Sequence, residues 1–173
     1  MRTREIMTAN PRCGSTSDTV ETVAKLMRDA DCGSIPIVDD ATGKVVGIVT
    51  DRDLAVRVMA AGRGLETPVT TVMTGYPSTA RPDDDLRHVE KLMAEHQVRR
   101  VPVVDVDSRC IGIVSQGDIA RAALARPEVV SDREVAIVVE SISNASRPRK
   151  SDPRFAETLR IATIADQRPD AGS

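Results

Sequence analysis

The chain has 173 residues, 29% of them charged, and a formal net charge of −2, which fits one globular domain or two very small ones. One Tyr, one Phe and no Trp exclude the aromatic stacking platforms that single-strand nucleic-acid readers use. The core must be aliphatic, and Val, Ile, Leu, Met and Ala favour parallel strands covered by helices over an aromatic-rich β-sandwich.

Taken in chain order, Met1 to Met7 lack the apolar stretch of a signal peptide, and no later run reaches membrane-spanning length. A soluble, cytoplasmic chain is expected. Asp18 and Glu21 have the spacing of a capping box, followed by Val20, Val23, Ala24 and Met27 at helical spacing. Two β-branched runs, Ile35 to Val38 and Val45 to Val49, flank a turn over residues 39–44 and predict a strand pair. A helix opening at Thr50 carries Leu54 and Val58. Residues 63–71 are polar enough for a surface connection. Pro82 and Asp83 predict a second helix start, with Leu86, Val89, Leu92 and Met93 inward. Val101 to Val104 and Cys110 to Val114 predict strands, and Ser115 opens a helix with Ile119, Ala122 and Ala123. Ser131 and Glu134 predict a capped helix with Val135, Val138, Val139 and Ile142 on one face. From Asn144 the composition turns to Ser, Arg, Pro and Asp. That stretch is expected to be irregular, with one short amphipathic docking helix (Phe155, Leu159, Ala162) as the alternative.

Self-comparison organises these elements. At an offset of 66, Ile6-Met7-Thr8 falls on Val72-Met73-Thr74, and Ile35-Pro36-Ile37-Val38-Asp39 on Val101-Pro102-Val103-Val104-Asp105. One deletion in a turn reduces the offset to 65, and Gly47-Ile48-Val49-Thr50 then matches Gly112-Ile113-Val114-Ser115, with Asp53 on Asp118. The chain is a tandem duplication of an α/β unit: extended segment, helix, strand, strand, helix. The expected division is 1–62, a linker 63–71, 72–126, a closing helix 127–143 and the polar tail 144–173.

The repeated Gly-Ile-Val-Thr/Ser-x-x-Asp element carries the chemistry. Thr50 with Asp53, and Ser115 with Asp118, have capping-box spacing, so satisfying orphan helix amides explains one copy by itself. Two matched copies add weight to a second role. The glycine keeps the strand end bare for a ligand, and a helix N-terminus after a strand attracts phosphate. A carboxylate there repels phosphate but accepts hydrogen bonds from a ribose diol. A nucleoside monophosphate satisfies both demands, each charge-assisted bond contributing about 1.5–3 kcal/mol.

On these residues the two units resemble a pair of CBS (cystathionine-β-synthase-type) domains, a Bateman module. The resemblance rests on Ile-Pro-Ile-Val-Asp, Val-Pro-Val-Val-Asp, Gly-Ile-Val-Thr-Asp-Arg-Asp and the Met-Thr start of each unit, and it covers roughly residues 3–126. It implies an α/β (α+β) fold of two β-α-β-β-α units about a pseudo-twofold axis, with two clefts for adenosine-containing ligands. AMP is the first expectation; ADP, ATP, NAD and S-adenosylmethionine are related ones. Ribose would fall to Asp53 and Asp118, and phosphate to Thr50 and Ser115. The base would meet Met7, Arg12 and Cys32 in the Asp118 cleft and Met73, Ser78 and Val98 in the Asp53 cleft, with Ile48 and Ile113 alongside. The resemblance further implies a non-catalytic regulator of an unidentified protein partner. A homodimer is expected, formed through apolar faces such as Leu54/Val58 and Val135/Val138. The alternative is a stress-associated interaction module with vestigial clefts.

The units differ before their prolines, Gly33-Ser34-Ile35 against Arg99-Arg100-Val101. Arg99 and Arg100 are expected to neutralise phosphate at the cleft mouth, or else to be solvated or to bridge Asp83, Asp84 and Asp85. His88 and His96 lack companions for a metal site, and Cys13, Cys32 and Cys110 form neither a zinc motif nor a disulfide framework. No nucleophile with a visible base points to an enzyme. Residues 1–143 carry 18 basic and 22 acidic side chains, which argues against a duplex-DNA footprint.

Overall fold

The computed structural model describes residues 1–128 and 130–143. The polar tail, with its proposed docking helix, lies outside the described residues. Short strands β1 (Thr8–Ala9) and β2 (Gly14–Ser15) precede helix α1 (Val20–Asp29). The hairpin of β3 (Ser34–Val38) and β4 (Val45–Thr50) follows, then α2 (Asp51–Asp53), which widens into a π turn (Leu54–Met59). The second unit repeats the order with β5 (Thr74–Gly75), α3 (Leu86–His96), β6 (Arg100–Val104), β7 (Cys110–Ser115) and α4 (Gln116–Ala125). Helix α5 (Asp132–Ser143) closes the described chain.

Both central hairpins pair antiparallel, Ile35 with Val49 and Val101 with Val114, not parallel as the composition suggests, because a short turn joins each pair of strands. The deletion between the units falls in the hairpin turn, where Gly43 (φ 69°) and Ser108 (φ 65°) take the left-handed conformation that reverses the strand. Elsewhere the repeat extends to the backbone: Asn10 and Tyr76 both have φ 49°, and Asp31 and Gln97 have φ 46° and 52°.

The leading strands are exchanged between units. β1 of the first unit pairs antiparallel with β7 of the second, Thr8 against Ile113 and Ala9 against Gly112. β5 of the second pairs with β4 of the first, Gly47 against Gly75 and Ile48 against Thr74. The sheets therefore run β1-β7-β6 and β2-β3-β4-β5, and each contains chain from both units. A further hydrogen bond, Val45 N to Ser108 O at 3.0 Å, ties the two hairpin turns together.

Each unit has its own aliphatic core. Val23, Ile35, Ile37, Val49 and Val69 are fully buried in the first, and Val89, Met93, Val101, Val103 and Val114 in the second. Burying such a side chain contributes about 1.5–3 kcal/mol each. Helix α5 adds Val138 and Ile142 to the second core. Val139, expected on the same face, is 39% exposed.

Two helix starts differ from the sequence expectation. Thr19, not Asp18, caps α1 by accepting from Thr22 N, while Asp18 accepts from Ser15 N at 2.8 Å. Helix α3 begins at Leu86, capped by Asp85, because residues 82–85 are engaged by the N-terminus. Arg4 N donates to Pro82 O, Thr3 N to Asp84 O, and Leu86 N to Met1 O, at 2.9–3.0 Å. These long-range bonds outweigh the local preference for a helix at Pro82.

Candidate functional site

Two strand-to-helix junctions, one per unit, hold the motif residues. At the first, Thr50 ends β4 and Asp53 lies in the opening turn of α2. Thr50 N and Thr50 Oγ1 donate to Asp53 Oδ2 at 2.9 and 2.6 Å, and Asp53 N donates to Thr50 Oγ1 at 3.2 Å. At the second, Ser115 N and Oγ donate to Asp118 Oδ2 at 2.7 and 2.6 Å, and Asp118 N donates to Ser115 Oγ at 3.2 Å. Both carboxylates are 8% exposed. The capping boxes are real, and they use one oxygen of each carboxylate.

The other oxygen faces an arginine that the sequence reading missed. Arg57 Nε lies 3.4 Å from Asp53 Oδ1, and Arg57 Nη1 donates to Val72 O at 2.6 Å. Arg121 Nη2 donates to Asp118 Oδ1. The signal was available, since both arginines stand one helical turn beyond their aspartates, at i+4 and i+3. The two differ in freedom: the Arg57 side chain is 34% exposed and tied to the second unit's leader, whereas that of Arg121 is 72% exposed. A carboxylate oxygen accepts two hydrogen bonds, so each Oδ1 retains capacity for a hydroxyl donor beside a guanidinium suited to an anion.

Strand exchange brings further candidates to each junction. Ile113 pairs with Thr8, so Met7 stands against β7 in the unit of Asp118. Ile48 pairs with Thr74, and Met73 does the same against β4. The motif glycines make room for both methionines, because a Cβ on Gly112 would collide with Met7 Sδ and one on Gly47 with Met73 Sδ. Val98 packs against the second unit's core, as Met7 does, and Cys32 against the first unit's, as Met73 does. Ser78 is half-buried between β5 and Ala80, and Arg12 is exposed.

Arg99 and Arg100 do not bridge the acidic run. Arg4 pairs with Asp83 at 2.6 Å, Asp84 Oδ2 accepts from Arg81 N, and Asp85 faces Arg87 N and the N-terminal ammonium. That run is a helix start and a clasp for the N-terminus. Arg100 instead reaches the first unit. A Cβ on Gly33 would lie 3.2 Å from Arg100 Nη2 and 2.7 Å from Asp51 Oδ2, so both side-chain ends gather over Gly33. Its guanidinium stands at the junction that presents Thr50 and Asp53. Arg99 is exposed.

Among the described residues, no group of three or more His, Cys, Asp or Glu side chains is placed to hold a metal, and no helix is long and apolar enough to cross a membrane.

A duplicated α/β unit with exchanged leading strands and two hydroxyl–carboxylate junctions defines a tandem pair of small α/β domains. The CBS domain family model matches it twice, over residues 4–60 and 69–125, and the chain belongs to that family. It is 38% identical to the CBS domain-containing protein YhcV of Bacillus subtilis (strain 168) over 117 residues, 68% of this chain and 81% of that protein. Among solved structures, the CBS domain pair of MJ0100 in complex with 5′-methylthioadenosine and S-adenosyl-L-methionine is 29% identical with a TM-score of 0.66. That likeness covers 73% of this chain and 98% of that one. CBSX2 in complex with AMP is 28% identical with a TM-score of 0.62, over 73% and 98% of the two chains.

Proposed function

We propose that this chain is a non-catalytic regulatory module that binds an adenosine-containing ligand, AMP first, at the Asp53 and Asp118 junctions. Binding would report ligand level to a partner protein or to the chain's own oligomer. One observation carries the reading. Each buried motif carboxylate keeps acceptor capacity on Oδ1, beside an arginine and a helix N-terminus. The carboxylate suits a ribose diol. The Arg57, Arg121 and Arg100 guanidiniums offset the repulsion that a lone carboxylate would exert on phosphate. Met7 or Met73, with Ile113 or Ile48, would then offer an aliphatic wall to the base. Arg12, Cys32, Ser78 and Val98 complete the proposed walls, and Arg99 the mouth. The adenosyl ligands bound by MJ0100 and CBSX2 support the same ligand class.

The Asp118 site is the more receptive of the two in this reading. Arg121 is free to leave its carboxylate for a phosphate, whereas Arg57 must also give up Val72 O. Regulation follows if the ligand binds one packing of the two units better than another.

Titration calorimetry with AMP, ADP, ATP, NAD and S-adenosylmethionine tests the proposal. Asp118→Ala should weaken the tighter site by about tenfold to a hundredfold, the equivalent of one charge-assisted hydrogen bond of about 1.5–3 kcal/mol. Asp53→Ala should affect the weaker site. At a hundred times its dissociation constant, the ligand should stabilise the fold by about 2.7 kcal/mol. No heat and no stabilisation with any of the five would leave the junctions as helix caps in a protein-interaction module.

A further inference from the structure

All three cysteines are free thiols and half-buried, and two of them meet although they belong to different units. The β1–β7 pairing sets Thr8 against Ile113 and Ala9 against Gly112, and Asn10 N donates to Ile111 O at 3.0 Å. The same register places Pro11 opposite Cys110. The chain then turns so that Cys13 Sγ lies 3.6 Å from Pro11 O, while Cys110 Sγ lies 3.6 Å from Gly112 O. The two thiols lie close enough to perturb each other's ionisation. Neighbouring antiparallel strands lie at a separation a disulfide readily spans. The pseudo-symmetric positions hold Thr79 and Val45, so the thiol pair occurs once in the duplicated fold.

We propose that Cys13 and Cys110 form a reversible dithiol–disulfide site that covalently joins the first unit's leader to the second unit's sheet. The chemical roles of the two sulfurs differ. The neighbouring Cys110 side chain holds the Cys13 thiol below the usual cysteine range, while the neighbouring Cys13 side chain and burial push the Cys110 thiol up. Cys13 is therefore the attacking thiolate and Cys110 the resolving thiol. The oxidant is a low-molecular-weight disulfide. The Cys13 thiolate attacks one of its sulfurs, forming a mixed disulfide and releasing one small thiolate. The Cys110 thiol then loses its proton and attacks the Cys13 sulfur, releasing the second thiolate. The protein gives up two electrons, the small disulfide gains two, and the two thiol protons pass to the released thiolates.

The bond would close a covalent loop through both units and fix β1, with Met7, against β7. Removing that freedom from the unfolded chain stabilises the oxidised form. This proposal does not depend on ligand binding.

The full-length chain treated with oxidised glutathione tests it. Intact mass should fall by the two hydrogens of an internal disulfide. A non-reducing peptide map should join the Cys13 peptide to the Cys110 peptide and leave Cys32 alkylatable. The oxidised protein should melt at a higher temperature than the reduced one, and dithiothreitol should reverse the difference. Cys13→Ser and Cys110→Ser should each abolish the cross-link, and Cys32→Ser should keep it. A glutathione adduct that never resolves, a cross-link through Cys32, or one that joins only separate chains would overturn the assignment.

Discussion

At the scale of single residues, the two motif glycines do more than end a strand. Gly112 and Gly47 are where the exchanged methionines fit, and both conflicts involve the sulfur at the far side of a flexible chain. Gly112→Ala should therefore push Met7 off β7. The expected loss is about 1–3 kcal/mol of stability from overpacking. Met7→Ala in the same chain should recover part of that loss, because the added methyl then enters vacated space. A denaturant-unfolding double-mutant cycle measures the coupling, and strictly additive effects would show that the two side chains do not meet. The capping pairs Thr50/Asp53 and Ser115/Asp118 were legible in the sequence because a cap is local and its spacing fixed. Arg57 and Arg121 were legible in principle by the same helical spacing, yet nothing in a linear motif says which way an arginine turns. The Met7–Gly112 contact was hidden because its partners are brought together by a strand two residues long, too short to show a period. The meeting of Cys13 and Cys110 was hidden for the same reason.

At the scale of elements, the hairpins and closing helices followed from β-branched runs and hydroxyl caps, but the start of α3 did not. Residues 82–85 read as a helix opening until the N-terminal residues bind them, and no window confined to that stretch contains the information. The N-terminal clasp has an electrostatic part with a definite pH dependence. The Arg2 amide and the Arg126 guanidinium hold the Glu5 carboxyl below its usual value of 4.5, and the Arg87 amide holds Asp85 below 3.8. Both groups bind protons less readily folded than unfolded. Their contribution is therefore complete above the unfolded values and is lost as pH falls through the depressed folded ones. Both side chains are solvated, so the effect of each is small and screened by salt. Denaturant midpoints measured from about pH 6 to about pH 3 should fall, and the fall should be shallower in Glu5→Gln and Asp85→Asn. A variant curve parallel to that of the parent would show that the clasp does not titrate with these carboxyls.

At the scale of the whole molecule, duplication itself shaped what was visible. Two imperfect copies made the fold class legible at once, since each tested the other's element boundaries. The surface left over after folding was not legible. Leu54/Val58 and Val135/Val138 were expected to demand a second subunit, but Val58 and Val138 are only 4% and 5% exposed because the chain covers them itself. The apolar residues that remain in water are different ones. Met59 is 78% exposed and Leu124 81%, and they occupy matched positions at the ends of the two closing helices, with Val56 (54%) nearby. A single exposed apolar side chain is ordinary, but the same exposure at matched repeat positions gives a second copy apolar side chains to meet with its own. Burying such a side chain contributes about 1.5–3 kcal/mol, and a twofold dimer counts each residue twice. The chain is therefore expected to pair through the closing helices. Light scattering should give about twice the 18.6 kDa chain mass for the parent and the single-chain mass for Met59→Glu with Leu124→Glu. Circular dichroism of that variant should stay unchanged, because neither residue belongs to a core. A parent that runs as a monomer at micromolar concentration, or a variant that still pairs, would place the contact elsewhere.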